Sequence, residues 1–199
     1  MTTRTAGKRR AILTGALTVF ARDGYTRASI DAIAAEAGVS TRTIYKHFTD
    51  KAGLFQAVIR DSGARAAETQ LAAIDRFLRK VTDLEADLTD FGVAMAAPSP
   101  GDEAHFALVR QINAEAGHIP PEAIEAWQEA GPRRVKRELA RRLGELLPLS
   151  DPELAARHLM ALIATAAPSP HDPPPSSSRT AELVAAAVRV FLYGYRGER

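Results

Sequence analysis

Residues 29–48 read SIDAIAAEAGVSTRTIYKHF. Ile30, Ile33, Ala34 and Ala37 recur three and four apart, which places them on one side of a short helix. Ser29 stands ahead of it, where a side-chain oxygen can accept from the free amides of the first turn. Gly38 closes that helix, the small apolar Val39 follows, and Ser40 stands as the cap of a second helix over Thr41 to Phe48. Ile44 and Phe48, four apart, give the second helix an inner side. Two short helices across a tight glycine turn form a helix-turn-helix arrangement. The outer side then carries Thr41, Arg42, Thr43, Tyr45, Lys46 and His47: hydroxyls, cations and an aromatic ring with a hydroxyl tip. A DNA major groove admits one helix, and its base edges ask for donors and acceptors at that helix's N-terminal end. The phosphates beside it ask for cations and hydroxyls. A helical hairpin with a solvated polar face would show the same residues.

Working outward, Ile12, Ala16, Val19 and Phe20 form a stripe with Leu13 and Leu17 beside it, predicting a helix from Thr5 to Arg22 that stops at Asp23-Gly24. A long helix is expected from Lys51 to Leu78, with Leu54, Phe55, Val58 and Ile59 at its start. Further helices are expected near 83–96, 102–116, 121–146, 151–166 and 179–195. The breaks fall at Pro98-Ser99-Pro100-Gly101, from Gly117 to Pro121, from Pro148 to Pro152, and at PSPHDPPPSSS (168–178). Gly131-Pro132 should kink or split the helix that contains it. The fold class is all-α, without heptads or internal repeats.

Composition narrows the function. The chain has 199 residues, 46% of them apolar, and no cysteine. That removes disulfides, thiolate metal sites and cysteine nucleophiles together. The start, MTTRTAGKRR, lacks a signal-peptide pattern, and no apolar run approaches a membrane span, so a cytoplasmic protein is expected. Net charge is +2, but residues 1–60 carry +6 and the remainder −4. A basic end on an acidic body suits a polyanionic partner. The basic Lys8-Arg9-Arg10 segment could reach a DNA backbone or simply be a solvated helix start. Glu115 and His118 have the Glu-x-x-His spacing of helical metal sites, but those need a second such pair, and none exists. No metal, cofactor or catalytic set is expected, so the chain reads as a non-enzyme. Arg133, Arg134, Lys136, Arg137, Arg141 and Arg142 form a basic helix face, read as solvated or paired with Glu129, Glu138 and Glu145.

The segment from Ile12 through Phe20-Ala21 and Gly24-Tyr25, then Ser29-Ile30, Ile33-Ala34, Ala37-Gly38-Val39-Ser40, Ile44-Tyr45-Lys46-His47-Phe48, Lys51 and Leu54-Phe55, resembles the TetR/AcrR family of transcriptional regulators. The resemblance covers roughly residues 6–66. It implies a DNA-binding domain over 6–66, with its helix-turn-helix at 29–48, and a helical regulatory and dimerisation domain over 67–199. It implies that Thr41, Arg42 and Thr43 face bases or nearby phosphates, that Tyr45, Lys46 and His47 hold the backbone, and that Lys51 and Ser29 lie at phosphates. His47 could equally cap its helix. Asp31 departs from the pattern, since some members carry a basic residue there; it would repel phosphate.

Further along, the resemblance implies a sensory pocket. Its candidates are Phe77, Phe91, Met95, Phe106, Val109, Trp127 and Met160, with His105 and His118 as polar partners; each would serve equally as plain core, and Trp127 as an interface residue. The last two helices would pair with their copies in a twofold bundle through Leu159, Leu162, Ile163, Val184, Val188 and Phe191, although the same pattern fits packing within one subunit. The implied protein is a homodimeric repressor on a near-palindromic double-stranded DNA operator, released by a small apolar or amphipathic effector. A constitutive DNA-binding protein or an activator without an effector is the alternative.

Overall fold

The computed structural model of the chain describes residues 3–97, 103–166 and 176–196. The expected break at 98–101 and most of the one at 168–178 lie outside them. Among the described residues all regular structure is helical: α1 (Thr3–Arg27), α2 (Ile30–Glu36), α3 (Thr41–His47), α4 (Lys51–Leu78), α5 (Leu84–Ala96), α6 (Glu103–Ala114), α7 (Pro121–Ala130), α8 (Pro132–Leu146), α9 (Pro152–Ala164) and α10 (Ser177–Arg196). The break at Gly131-Pro132 splits α7 from α8, because a proline that lacks an amide hydrogen starts a helix more readily than it continues one. α1 runs beyond its expected end, but Gly24 inside it has φ 77° and ψ 176°. The long helix therefore stops at Asp23, as its spacing predicts, and a short turn over Tyr25–Arg27 leaves at a new angle.

The chain forms two compact units. The first takes in the described residues up to Ala67 and again from 103 to Pro132. Its core joins Ile12, Leu13, Ala16, Val19 and Phe20 of α1 to Ile33, Ile44, Leu54, Phe55, Val58 and Ile59. Leu108, Ile112, Ile119, Ala123 and Trp127, from α6, α7 and their connection, belong to the same core. Phe20 and Phe55 meet edge to face at 4.8 Å, and Tyr25 tilts against Phe55 at the same distance. Each such fully buried side chain contributes ~1.5–3 kcal/mol relative to exposure, so the stripe on α1 suffices to fix where α2–α4 sit.

The second unit takes in Glu68 to residue 97 and the described residues from Arg133 onward. α5, α9 and α10 pack on one another. Asp83 caps α5 and Asp151 caps α9 through their side-chain oxygens. Part of the basic face of α8 is ion-paired: Arg141 reaches Glu138 at 2.6 Å and Glu145 at 2.5 Å, and Arg134 reaches Glu68 at 2.9 Å. Leu159, Ile163, Val184, Val188 and Phe191, expected on a twofold interface, are each at most 2% exposed within the single chain. They hold α9 and α10 to their own unit; Leu162 is half-buried. Apolar side chains also face outward: Leu154 on α9 and, as a short stripe three apart, Val190 and Tyr193 on α10.

Candidate nucleic-acid interface

Three hydrogen-bonding devices shape the α2–α3 pair. Ser29 caps α2, its Oγ accepting from the Ala32 amide at 3.1 Å. At the other end the Val39 amide donates to the Ala34 carbonyl at 3.0 Å and the Gly38 amide to Ala35 at 3.2 Å. That pair of bonds is the Schellman closure, and it requires a left-handed residue at Gly38, whose φ is 63°. Ser40 then caps α3: its Oγ accepts from the Thr43 amide at 3.3 Å and shares a 2.9 Å bond with the Thr43 hydroxyl.

The result orients α3 unambiguously. Ile44 is fully buried and Phe48 nearly so, while Arg42, Tyr45 and Lys46 are exposed and Thr41, Thr43 and His47 are half-buried. Tyr45, 56% exposed, is a large aromatic with no core to serve. The Arg9 guanidinium lies 5.5 Å from the Phe48 ring. Arg9, Arg10 and Arg65 line an open cleft of about 570 Å³ between α1 and α4, where Asp61 pairs with Arg65 at 3.2 Å. Ser29 is exposed at the start of α2, and Asp31 is exposed in its first turn.

Lys51, expected at a phosphate, is bonded within the first unit. Its Nζ donates to the Thr26 carbonyl at 3.1 Å and stands 4.9 Å from the centre of the Tyr25 ring. Partial burial lowers its pKa and nearby Glu115 opposes that shift. Glu115 itself, read in the sequence only as half of a metal-like spacing, takes the other side of Thr26. Its Oε2 accepts from the Thr26 amide at 2.8 Å and from the Thr26 hydroxyl at 2.6 Å. Burial works against the Glu115 charge, but these two bonds, helped by Arg27 and His118, hold its carboxyl below the ordinary value. Thr26 and Glu115 are too far apart in the chain for spacing to have linked them. Among the described residues no group of three or more His, Cys, Asp or Glu could hold a metal ion.

The pocket candidates divide between the two units. Phe77, Phe91, Met95 and Met160 belong to the second, where Phe91 is fully buried. His105, Phe106, Val109 and Trp127 belong to the first. There His105 Nδ1 lies 2.9 Å from the buried Ser62 hydroxyl, Trp127 is core, and Phe106 is 45% exposed. His118 is exposed, near Glu115.

Residues 12–58 match the family model for bacterial regulatory proteins of the tetR family, and residues 86–197 match that for the C-terminal domain of AefR-like transcriptional repressors. The chain belongs to the TetR family. It is similar over its whole length to the solved structure of a TetR-family transcriptional regulator from Mesorhizobium loti, with 28% identity, 98% of this chain and 99% of that one covered, and a TM-score of 0.81. The flavonoid-responsive regulator FrrA is 25% identical, with 94% of this chain and 96% of that one covered and a TM-score of 0.61. The HTH-type transcriptional repressor AcnR of Corynebacterium diphtheriae is 41% identical over 61 residues, 31% of this chain and 32% of that protein. The chain thus spans about a third to a half of the length of the curated relatives it matches. As a TetR-family member it is a DNA-binding regulator, and no described helix is long and apolar enough to cross a membrane.

Proposed function

We propose that this TetR-family protein is a repressor that binds a near-palindromic operator as a dimer, reads it with α3, and is released by a small apolar or amphipathic effector. The observation that carries the reading is the split of α3, with Ile44 and Phe48 sunk in the core and Arg42, Tyr45 and Lys46 turned to solvent. Arg42, in the first turn, is suited to a bidentate grip on guanine, and Lys46 and Tyr45 to the phosphates alongside. Thr41, Thr43, His47 and Ser29 supply the neighbouring donors. Dimerisation sets two such helices about 34 Å apart, one duplex turn, which is why the site should be near-palindromic. The outward stripe of α10, with Val190 62% and Tyr193 70% exposed, and Leu154 on α9, 39% exposed, support pairing with a second copy. Effector response is supported by the likeness to a flavonoid-responsive regulator. By linkage, a coupling of ~1–3 kcal/mol would lower DNA affinity roughly 5–150-fold.

The test is a titration of DNA, chosen by selection from a random pool, against Arg42→Ala and Lys46→Ala. Arg42→Ala should cost ~1–3 kcal/mol and relax preference at one position of each half-site. Lys46→Ala should weaken all sequences alike and flatten the slope of affinity against salt by about one. Wild-type binding by both variants would remove α3 from the interface.

A further inference from the structure

We propose that Glu115 is a positioning residue of the DNA-binding region: it fixes the corner between α1 and α2 by holding Thr26, and through Thr26 it fixes Lys51. The inference rests on the reading of α2–α3 as the DNA-binding element and adds a residue from outside it. All polar groups of Thr26 are engaged by charged partners. One carboxylate oxygen of Glu115 takes its amide and its hydroxyl, at 2.8 and 2.6 Å, and the Lys51 ammonium takes its carbonyl at 3.1 Å. The three residues come from three places: the end of α6, the corner, and the first residue of α4.

The backbone at the corner is built for this carboxylate. Gly24 has φ 77°, and a Cβ there would lie 1.8 Å from Glu115 Oε1, inside any tolerable contact. The second oxygen of Glu115 therefore fills the space that a side chain at position 24 would take. Arg27, the last residue of α1, bonds back to the Asp23 carbonyl at 3.0 Å, and the Ala28 amide bonds to Gly24 at 3.4 Å. Three residues after Thr26, Ser29 caps α2. An anchored Thr26 thus sets the starting point of the element that carries α3. With its ammonium on the corner and over Tyr25, Lys51 acts as a strut and not as a phosphate ligand.

The experiment measures operator affinity, the salt slope, and hydrogen exchange at the Thr26 amide, in the full chain. Glu115→Ala should lower affinity ~tenfold, the order expected for losing a charge-assisted bond, with an unchanged salt slope and faster Thr26 exchange. Glu115→Gln keeps an oxygen that can accept from both Thr26 groups, so it should bind within about threefold of wild type. Gly24→Ala should weaken binding in the wild-type background and cost less when added to Glu115→Ala, since its Cβ then meets no carboxylate. Lys51→Gln should leave the salt slope unchanged. Should Glu115→Ala fail to fold, Thr26→Val, which loses the hydroxyl bond to Glu115 and keeps the amide one, carries the same comparison at smaller amplitude. Glu115→Ala binding within twofold of wild type, additive costs for the Gly24 pair, or a salt slope that falls by one in Lys51→Gln would overturn the proposal. A wild-type protein with a protected Thr26 amide that binds no member of the DNA pool would instead sink the DNA-binding reading itself.

Discussion

Glu115 is the residue whose protonation should be felt most clearly by the first unit. Its carboxyl is held below the ordinary 4.5 in the folded chain, burial opposing and the Thr26 bonds prevailing. The folded state then takes up a proton less readily than the unfolded one. This contribution is fully present above pH 4.5 and is lost as pH falls through the lower folded value. Glu115→Gln cannot titrate, so the stability difference between wild type and this variant should shrink as pH falls below the ordinary 4.5. Urea unfolding at several pH values measures it, and a constant difference would deny the linkage. The same residue marks the limit of reading by spacing. Arg42, Tyr45 and Lys46 could be placed from sequence because their exposure follows from Ile44 and Phe48 a few positions away. Glu115 could not, because its partner Thr26 lies in a distant segment and only tertiary packing joins them. Lys51 was legible as the first residue of its helix, yet the direction of its side chain depended on Tyr25 and Thr26.

Elements whose signals are local came through well. α2 and α3 are too short to hold themselves together, and they depend on the Ser29 cap, the Gly38 closure and the Ser40 cap, each a matter of adjacent residues. Ser40→Ala should therefore destabilise the first unit by ~0.5–2 kcal/mol. It should also free the Thr43 hydroxyl from its 2.9 Å bond, while Arg42 keeps its exposure. Thermal unfolding measures the first effect; an unchanged midpoint would show that α3 is held by packing alone. Apolar periodicity was less decisive for α9 and α10. It finds an apolar face but does not say whether that face packs within the subunit or against a copy, and both readings stay open for Leu159, Leu162, Ile163, Val184, Val188 and Phe191 until the chain is folded. Leu159→Ala should accordingly act as a core truncation, costing ~2–5 kcal/mol of stability.

At the scale of the whole molecule, assembly should depend on the outer stripe. Val190→Asp would put a charge on a surface that is 62% exposed in the single chain, so the fold should survive. Light scattering after size exclusion should show a dimer for wild type and a monomer for the variant. Operator binding should fall by more than tenfold because the second half-site is lost. A dimeric Val190→Asp would move the interface elsewhere. Regulators of this kind invite the making of chimeras, in which one protein's reader is spliced to another's sensor at the end of the recognition helices. Here a cut after residue 67 would leave Ile12, Phe20 and Ile59 without Leu108, Ile112, Ile119, Ala123 and Trp127, which complete their core. A transplant that is to stay folded must carry residues 103–132 along with the reader, so the natural seam for swapping is discontinuous in the chain.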